Sequence, residues 1–340
     1  MTNTYSSELA KLVANAMLAQ RISSMNSISA ICEATGANIS EIEAAVGMDE
    51  RIGSKYLRAG IGFGGSCFGK DIRSLVYLAE CLGLHEVAGY WQGVLTMNEW
   101  QRGRFVRRVV GCLNGTLVGK KVGVLGYAFK KNTSDTRESP ALESIKILLE
   151  EGPREIAVFD PFCDPKVVRE EIGRLAGKQV LRENGGPVTC HVNAYEACMA
   201  AHATIIMTDC DEFKNTSSSI STKITTRQSA DPRPFERLEP TESEILALHK
   251  YLASATRIRD PLQRFEDEPE CLEGCQACNV DAGNIERKTT RGERLDWAKI
   301  AYHLQTPKWV FDGRGMLDAV EMEKLGVRLE SIGRVGWGGI

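Results

Sequence analysis

The 340-residue sequence predicts an α/β protein in which a helical region, residues 1–114, precedes a doubly wound, mostly parallel sheet in residues 115–340. Two observations predict this class. Apolar residues recur at helical spacing through the first third of the chain. Beyond residue 114, short apolar runs alternate with helical patterns, and strands separated by helices form parallel sheets that are covered on both faces. We therefore expect two domains that meet near residue 114.

Four helices are predicted in the helical region. The first spans residues 6–34, and Ser6 or Ser7 is its expected N-cap. The other three lie at residues 40–46, 71–83 and 86–112. The chain up to Gly111 is therefore expected to contain helices and connecting segments without strands.

Five apolar runs of strand length follow in the sheet region. They are Lys121–Tyr127, Glu155–Phe159, Ala203–Thr208, Trp309–Phe311 and Arg328–Ile332. Helical patterns at residues 140–151 and 194–201 separate some of these runs. Several runs end in Gly-Tyr, Asp-Pro or Asp-Gly-Arg. Because doubly wound sheets bind ligands at the carboxyl ends of their strands, we expect the ligand site at these positions.

Residues 215–294 interrupt the alternation with a charged stretch rich in Ser, Thr and Pro. We expect a largely disordered insertion that contains one helix, capped by Thr241. Zinc could bind to a cysteine cluster in this stretch, with His249 or Cys210 as a fourth ligand; the cluster is Cys271, Cys275 and Cys278. The spacing is irregular and lacks paired C-x-x-C motifs, so free thiols are favoured and no metal site is assigned.

Composition excludes several classes of function. The chain has 42 basic and 45 acidic residues, so it offers no general attraction to nucleic acid or to acidic membranes. No stretch reaches the roughly 20 consecutive apolar residues that span a bilayer. Eleven cysteines at scattered positions are typical of thiols in a reducing compartment. We therefore expect a cytoplasmic protein without a membrane partner.

The stretch GIGFGGSCFGKD, residues 60–71, contains a formal match to the G-x-G-x-x-G dinucleotide loop. A working dinucleotide loop follows an apolar strand, because the strand directs the glycine turn toward a helix N-terminus. The preceding residues, GSKYLRA, do not form such a strand. We therefore interpret the match as chance.

Cys67 lies directly behind these glycines, in the first turn of a predicted helix for which Ser66 is a plausible N-cap. Unpaired amides at a helix N-terminus stabilise a thiolate. Asp71 follows four residues later, on the same face, where it could orient a water molecule. Lys11 and Asn15 share a face of the first helix through the same spacing. The alternatives are a small buried cysteine under a loop and an ordinary solvated helix face.

Basic residues that follow predicted strand ends could bind phosphate, or could simply be exposed at the surface. Lys130, Lys131 and Arg137 follow the first strand, and Arg314 follows the strand that ends in Phe311.

Several segments together resemble the UDP-glucose/GDP-mannose dehydrogenase family, and within it the UDP-glucose 6-dehydrogenases. They are SSELAKLVANAMLAQRISSMNSISAICEATGA, MDERIG, GFGGSCFGKD, GYAFKKNTSDTRES, the DP after EIAVF, and FDGRGMLD. The resemblance covers residues 4–214 and 295–335 in family order. It implies a helical central, or dimerisation, domain in residues 1–114 and a Rossmann-like UDP-sugar-binding domain in residues 115–340.

The activity implied by this resemblance is oxidation of UDP-glucose to UDP-glucuronate by two hydride transfers to NAD. Cys67 would be the nucleophile that forms a thiohemiacetal and then a thioester, and Asp71 would position the water that hydrolyses it. Lys11, with Asn15 beside it, would stabilise the oxyanion. The protein would assemble as a homo-oligomer through its helical domain, and Arg51 would reach the site of a neighbouring subunit.

The resemblance also implies two sets of binding residues. UDP-glucose would contact Arg51, Arg58, Phe63, Gly64, Phe129, Lys130 and Arg314. NAD would contact Cys67, Phe68, Gly69, Lys70 and Arg137.

Three departures from the family pattern affect these expectations. No segment matches the NAD-binding domain with which the family begins, so we expect this chain to be inactive alone. Gly69 stands where the family motif has glutamine, near the cofactor. Residues 215–294 have no counterpart in most members. The alternative function is a non-catalytic subunit that binds UDP-sugars or serves in assembly.

Overall fold

A computed structural model of the protein describes residues 3–215 and 294–334. The predicted insertion at residues 215–294 therefore lies outside the described residues, except for Asn215 and Arg294 at its ends. The same holds for the helix capped by Thr241 and for the proposed zinc ligands of that segment.

Four helices form the helical region: α1 (Thr4–Thr35), α2 (Ile39–Gly47), α3 (Ser66–Cys81) and α4 (His85–Cys112). The predicted caps of α1 are wrong, because the Asn3 side chain accepts a hydrogen bond from the Ser6 amide at 2.8 Å. Ser66 is likewise the first residue of α3 and not its cap, which is Gly65. The predicted helical pattern began at residue 71, five residues late, whereas the predicted Ser66 cap put the start at Cys67, one residue late.

Small apolar residues bring three helices of this region together. Ala16 and Ala19 of α1 are fully buried and pack with Ile72 of α3 and Val94 of α4. The Ser23 hydroxyl donates to the Val94 carbonyl oxygen at 2.9 Å, so α1 and α4 are also joined by a buried hydrogen bond. Alanine and serine permit this closeness because they add little volume between the helix axes. The packing fixes α1 against α3.

Six parallel strands form one sheet in the described residues, in the order β3-β2-β1-β4-β5-β6. They are β1 (Lys121–Leu125), β2 (Glu155–Phe159), β3 (Val188–Cys190), β4 (Ala203–Ile206), β5 (Trp309–Asp312) and β6 (Arg328–Ser331). The predicted doubly wound sheet is confirmed. The strand order reverses between β1 and β4, which is the place where such folds open a ligand crevice. The edge strand β3 was not predicted.

Helices cover both faces of the sheet. They are α5 (Pro140–Glu150), α6 (Pro165–Leu175), α7 (Ala194–Cys198), α8 (Trp297–His303) and α9 (Ala319–Lys324). On one face, α5 and α6 pack in a core that also includes Val106 and Val109 of α4. On the other face, α7, α8 and α9 form a second core. Helix α4 thus belongs to both regions and connects the helical bundle to the sheet.

A partly buried ion cluster also joins the two regions. The Glu33 carboxylate of α1 is paired with Arg104 and Arg108 of α4. Its second oxygen accepts a hydrogen bond from the Gly333 amide at 2.7 Å, just beyond β6. Arg108 also lies 3.6 Å from the Glu330 carboxylate in β6. The Glu33 side chain is 10% exposed, so this cluster is shielded from solvent.

We predict that Glu33→Ala destabilises the protein by roughly 3 kcal/mol, because it leaves the two arginines without their shared carboxylate in a buried place. Urea unfolding of the 340-residue chain measures this change. The matched control is Glu321→Ala, which removes an exposed i, i+3 pair with Lys324 and should leave the midpoint unchanged. Equal midpoints for Glu33→Ala and the unmodified chain would contradict the prediction.

Candidate active site

A buried carboxylate lies at the centre of the candidate site. Asp71 of α3 is 1% exposed, and its Oδ2 accepts hydrogen bonds from Lys11 Nζ at 2.5 Å and from Asn15 Nδ2 at 2.6 Å. The one-turn spacing of Lys11 and Asn15 places both donors on the same side of α1. The structure therefore brings together three of the four residues predicted to be catalytic.

Opposing effects act on the ionisation of Asp71. Burial favours its neutral form, but the hydrogen bonds from Lys11 and Asn15 and the charge of Lys11 outweigh burial, so the pKa of Asp71 lies below its ordinary value. Asp71 is therefore ionised at neutral pH. Its second oxygen, Oδ1, is buried and has no hydrogen-bond partner among the described residues. A buried carboxylate oxygen without a partner is uncommon and can accept a hydrogen bond from a bound molecule.

Cys67 lies one helical turn before Asp71, in the first turn of α3, and it is exposed. The alternative of a cysteine buried under a loop is therefore wrong for this residue. Cys32, Cys163, Cys198 and Cys210 are the buried thiols among the described residues. The i, i+4 relation puts the Cys67 thiol on the same helix face as the Asp71 carboxylate. The structure thus places an exposed thiol one helical turn before a carboxylate that is paired with a cation from α1.

Residues 60–65, which we name the glycine loop, connect to this helix without a preceding strand. The expected absence of a strand before the loop is observed, and the interpretation of the dinucleotide match as chance stays a prediction. A Cβ atom at Gly64 would lie 2.5 Å from Pro140 Cδ, and one at Gly65 would lie 2.8 Å from the Phe129 ring. The glycines are therefore required for close contact between α3 and the sheet region, whereas sequence reasoning attributed them to a ligand.

Arg314 lies on the loop after β5, against the glycine loop. Its Nε donates to the Met207 carbonyl oxygen at 2.8 Å, and its Nη1 donates to the Gly62 carbonyl oxygen at 3.3 Å. Desolvation lowers the pKa of Arg314 to about 10, so the guanidinium is still charged at neutral pH. The loop itself is held by buried Asp312, whose Oδ2 accepts from the amides of Met316 and Leu317 at 2.6 and 2.7 Å.

A cleft of about 210 Å³ lies beside Arg314. Arg58 and Arg334 also line this cleft, together with Glu43. Sequence reasoning identified Arg58 and Arg314 but missed Arg334 and Glu43, which carry no motif. Three guanidinium groups around one cleft suit a doubly charged phosphate group.

The turn after β1 holds the remaining predicted phosphate-site residues. The Asp160 carboxylate, at the end of β2, accepts from the amides of Tyr127 and Ala128 at 2.6 and 2.9 Å and thereby shapes this turn. Lys130 Nζ lies 5.4 Å from the centre of the Phe129 ring. Arg137 is exposed and binds the Asp135 carboxylate through two nitrogens. The role of Asp160 was not predicted, although Asp-Pro after a strand was the available signal.

Phe63 and several of the residues that were predicted to contact NAD lie at or just before the start of α3. The Phe63 and Phe68 rings meet edge to face with centroids 5.7 Å apart. Lys70 is exposed, and Gly69 is buried. A Cβ atom at Gly69 would lie 2.9 Å from Glu138 Oε2 and 3.2 Å from Arg73 Nη1, so a side chain at this position would require the flexible ends of Glu138 and Arg73 to move.

Arg51 is not brought into this site. It is 89% exposed, and among the described residues it binds only the neighbouring Asp49 carboxylate. The described residues contain no cluster of three potential metal ligands, and Cys210, considered as a fourth zinc ligand, is buried in the core. None of the described helices is both long enough and apolar enough to cross a membrane.

Comparisons with known proteins identify the class of protein. Residues 5–100 match the central domain of the UDP-glucose/GDP-mannose dehydrogenase family, and residues 123–237 match its UDP binding domain. The chain belongs to the UDP-glucose/GDP-mannose dehydrogenase family.

Two curated relatives with high sequence identity are both named UDP-glucose 6-dehydrogenase. The chain is 52% identical over 212 residues to the UDP-glucose 6-dehydrogenase of Caenorhabditis elegans, covering 62% of this chain and 43% of the relative. It is 53% identical over 220 residues to the Mus musculus enzyme of the same name, covering 63% of this chain and 43% of the relative. The chain thus spans less than half the length of the curated relatives it matches.

Solved structures agree with this fold. A UDP-glucose dehydrogenase from Pyrobaculum islandicum superposes with a TM-score of 0.52 at 34% identity, covering 60% of this chain and 44% of that chain. A UDP-D-ManNAc dehydrogenase from Pyrococcus horikoshii gives a TM-score of 0.59 at 18% identity, covering 98% and 53%. Because its sequence identity is only 18%, the Pyrococcus horikoshii structure shows similarity of fold alone.

The lowered pKa of Asp71 predicts how its contribution to stability depends on pH. The unfolded value is about 3.9, so Asp71 stabilises the fold above that value, and the contribution is lost as pH falls through the lower folded-state pKa. Urea unfolding should therefore give a difference between the unmodified chain and Asp71→Asn that is constant from about pH 7 to pH 5 and shrinks below about pH 4.

Lys11→Met is the companion variant. Removing the cation should raise the pKa of Asp71 and move the loss of stability to higher pH. A stability difference that does not change with pH in either background would contradict the proposed ionisation of Asp71.

Proposed function

We propose that this chain supplies the thiol and the UDP-sugar site of a dehydrogenase that oxidises UDP-glucose to UDP-glucuronate with NAD. One observation carries the proposal: an exposed thiol, Cys67, lies one helical turn from a buried carboxylate, Asp71, which is held by Lys11 and Asn15. The relatives named UDP-glucose 6-dehydrogenase support the choice of substrate over other nucleotide sugars.

The covalent chemistry begins after C6 of the sugar has been oxidised to an aldehyde. The Cys67 sulfur adds to the aldehyde carbon and forms a C–S bond, while the carbonyl oxygen becomes the hydroxyl of a thiohemiacetal. The Lys11 ammonium group, 58% exposed beside Asp71, stabilises the oxyanion as negative charge develops. Loss of the remaining C6 hydrogen as hydride then converts the thiohemiacetal to a thioester.

Hydrolysis completes the reaction. A water molecule adds to the thioester carbon, and the C–S bond then breaks with the Cys67 thiolate as the leaving group. The product is a carboxylic acid, which loses a proton and becomes a carboxylate. Asp71 Oδ1 is buried and has no hydrogen-bond partner in the described part of the chain, so it can accept a hydrogen bond from this water. Asn15 holds the other oxygen of Asp71 and so fixes the direction of the carboxylate.

The anionic part of UDP-glucose would be held by the arginine cleft and by the turn after β1. Arg58 and Arg314 face the cleft, and Lys130 lies over Phe129. Guanidinium groups bind phosphate oxygens through paired hydrogen bonds, and partial burial strengthens the attraction. Phe63 and Gly64 would contact the sugar, since they lie between this cleft and Cys67 along the chain.

Bound NAD would accept the two hydrides removed from C6. The residues that fit one side of such a cofactor are Cys67, Phe68, Gly69, Lys70 and Arg137. Lys70 and Arg137 are exposed cations that suit a pyrophosphate. Gly69 has no side chain and would contribute only backbone contacts, with the Glu138 carboxylate and the Arg73 guanidinium group beside it.

We also propose that the protein forms a homo-oligomer through its helical region. Arg51 is exposed and makes no contact with the site of its own chain among the described residues, as expected of a residue that serves a neighbouring subunit. Exposed apolar side chains on α3 and α4 provide a surface for association; examples are Tyr77, Leu78 and Tyr90. A cytoplasmic location stays a prediction.

The test of this function is the formation of NADH from UDP-glucose and NAD. We expect none from the 340-residue chain alone, because its sequence contains no dinucleotide fingerprint that follows a strand. We expect turnover from a chimera that adds the part of the Mus musculus relative not covered by this chain. In that chimera, Cys67→Ser should reduce turnover below detection, since a hydroxyl is a far weaker nucleophile than a thiolate.

Cys81→Ser is the matched control, because Cys81 is an exposed thiol at the other end of the same helix. It should leave turnover unchanged. Full turnover by Cys67→Ser would overturn the assigned role of the thiol. UDP-glucose binding without any NADH from the chimera would favour a binding subunit instead.

A further inference from the structure

Asn98 of α4 makes two hydrogen bonds to one residue of the glycine loop. Its Nδ2 donates to the Phe63 carbonyl oxygen at 3.1 Å, and its Oδ1 accepts from the Phe63 amide at 2.9 Å. Asn98 is 2% exposed and Phe63 is 8% exposed, so both bonds are buried. The side-chain amide satisfies the two backbone groups in the way that a neighbouring strand would.

The conformation of Gly62 depends on the same side chain. Gly62 has a φ of +104°, and a Cβ atom there would lie 2.4 Å from Asn98 Oδ1. Any larger residue would therefore displace Asn98 and adopt a strained backbone. Gly62 and Asn98 form one unit in which the glycine admits the amide and the amide fixes the loop.

Arg314 and the residue next to Cys67 are both in contact with the Gly62–Phe63 segment that Asn98 holds. The Gly62 carbonyl oxygen accepts the hydrogen bond from Arg314 Nη1 at 3.3 Å, so it helps to fix the guanidinium in the cleft. The Phe63 ring packs edge to face on Phe68, the residue that follows Cys67. A shift of the Gly62–Phe63 backbone would therefore move the arginine and the thiol together.

We propose that Asn98 is a positioning residue that sets the geometry of Arg314 and Cys67 at the same time through the Gly62–Phe63 backbone. The inference rests on the proposed function, which assigns phosphate binding to Arg314 and covalent chemistry to Cys67. Asn98 itself contacts neither group in the hydrogen bonds of the described residues. Its effect on ligand binding and on thiol reactivity is indirect and passes through the glycine loop.

The test uses Asn98→Asp in the 340-residue chain. The substitution keeps the shape but replaces the donor with a carboxylate oxygen facing the Phe63 carbonyl, which repels it. We expect the Kd for UDP, measured by calorimetry, to rise by about tenfold. We also expect the rate of Cys67 alkylation by iodoacetamide, relative to Cys81 in the same molecule, to change by about threefold or more. Peptide mass spectrometry distinguishes the two thiols.

Two controls separate positioning from general loss of stability. Asn114→Asp makes the same chemical change at an exposed residue just beyond α4 and should alter nothing. Ile172→Ala creates a cavity under α6 and should lower the Tm without changing the Kd or the ratio of thiol rates. If Asn98→Asp fails to fold, Asn98→Ser removes both hydrogen bonds without adding charge.

The outcomes are distinct. An unchanged Kd and an unchanged ratio of thiol rates in a folded Asn98 variant would overturn the inference, and so would equal changes in Ile172→Ala. Absence of UDP binding by the unmodified chain would contradict the proposed function. In that event, the ratio of Cys67 to Cys81 alkylation still decides whether Asn98 positions the thiol.

Discussion

The pairing of Asp71 with Lys11 and Asn15 is the interaction on which the candidate site depends. A carboxylate that is almost fully buried needs strong partners, because an isolated buried charge costs several kcal/mol. Both partners come from α1, so ionised Asp71 fixes the register of α1 against α3. That register also sets where Lys11 lies relative to the first turn of α3, which carries the exposed Cys67 one turn before Asp71. The packing of α1 against α3 therefore determines how the cation and the thiol are arranged around the carboxylate.

The close approach of the helical region to the sheet supplies the second half of the site. Gly64 and Gly65 allow the Phe129 and Pro140 side chains to touch the start of α3, and Gly62 admits the Asn98 amide. This contact places Cys67 beside loops that carry Arg314 and Lys130. The partly buried Glu33 cluster stabilises the same junction from its other side. The proposed function uses this junction, because it places a thiol from one region and cations from the other where they could contact the two ends of one nucleotide sugar.

Much of the fold could be predicted, because strong periodicity was present. Apolar residues at helical spacing predicted the long helices α1 and α4. Short apolar runs predicted five of the six strands. Strand β3 has only three residues at the sheet edge, too few to show alternation. Helix α6 had a usable signal that was missed, since Asp164 caps it and Pro165 occupies its first turn. At α1, Ser6 and Ser7 were predicted as caps because both are good capping residues. The cap is Asn3, whose side chain accepts a hydrogen bond from the Ser6 amide.

The site was predictable in parts. The i, i+4 spacings within α1 and within α3 are visible in the sequence, but the contact between Lys11 and Asp71 joins residues 60 positions apart. No local pattern encodes that contact, and the family resemblance was needed to connect the halves. Asn98 and Arg334 also contact residues that are distant in sequence and belong to no motif, whereas Asp160 was part of a recognisable Asp-Pro pair whose contacts with Tyr127 and Ala128 the sequence did not show. The packing role of Gly64 and Gly65 was not predicted, because a glycine needed for close protein packing looks the same in sequence as one needed for a ligand.

The central claim is that Cys67 lies within bonding distance of C6 of a hexose whose diphosphate occupies the arginine cleft. The most direct measurement is affinity labelling of the 340-residue chain with a UDP-hexose that carries an electrophile at C6, followed by peptide mass spectrometry. The account predicts rapid labelling of Cys67, with Cys81 left unmodified and with protection by excess UDP. Labelling of Cys67 and Cys81 at equal rates, unaffected by UDP, would contradict it.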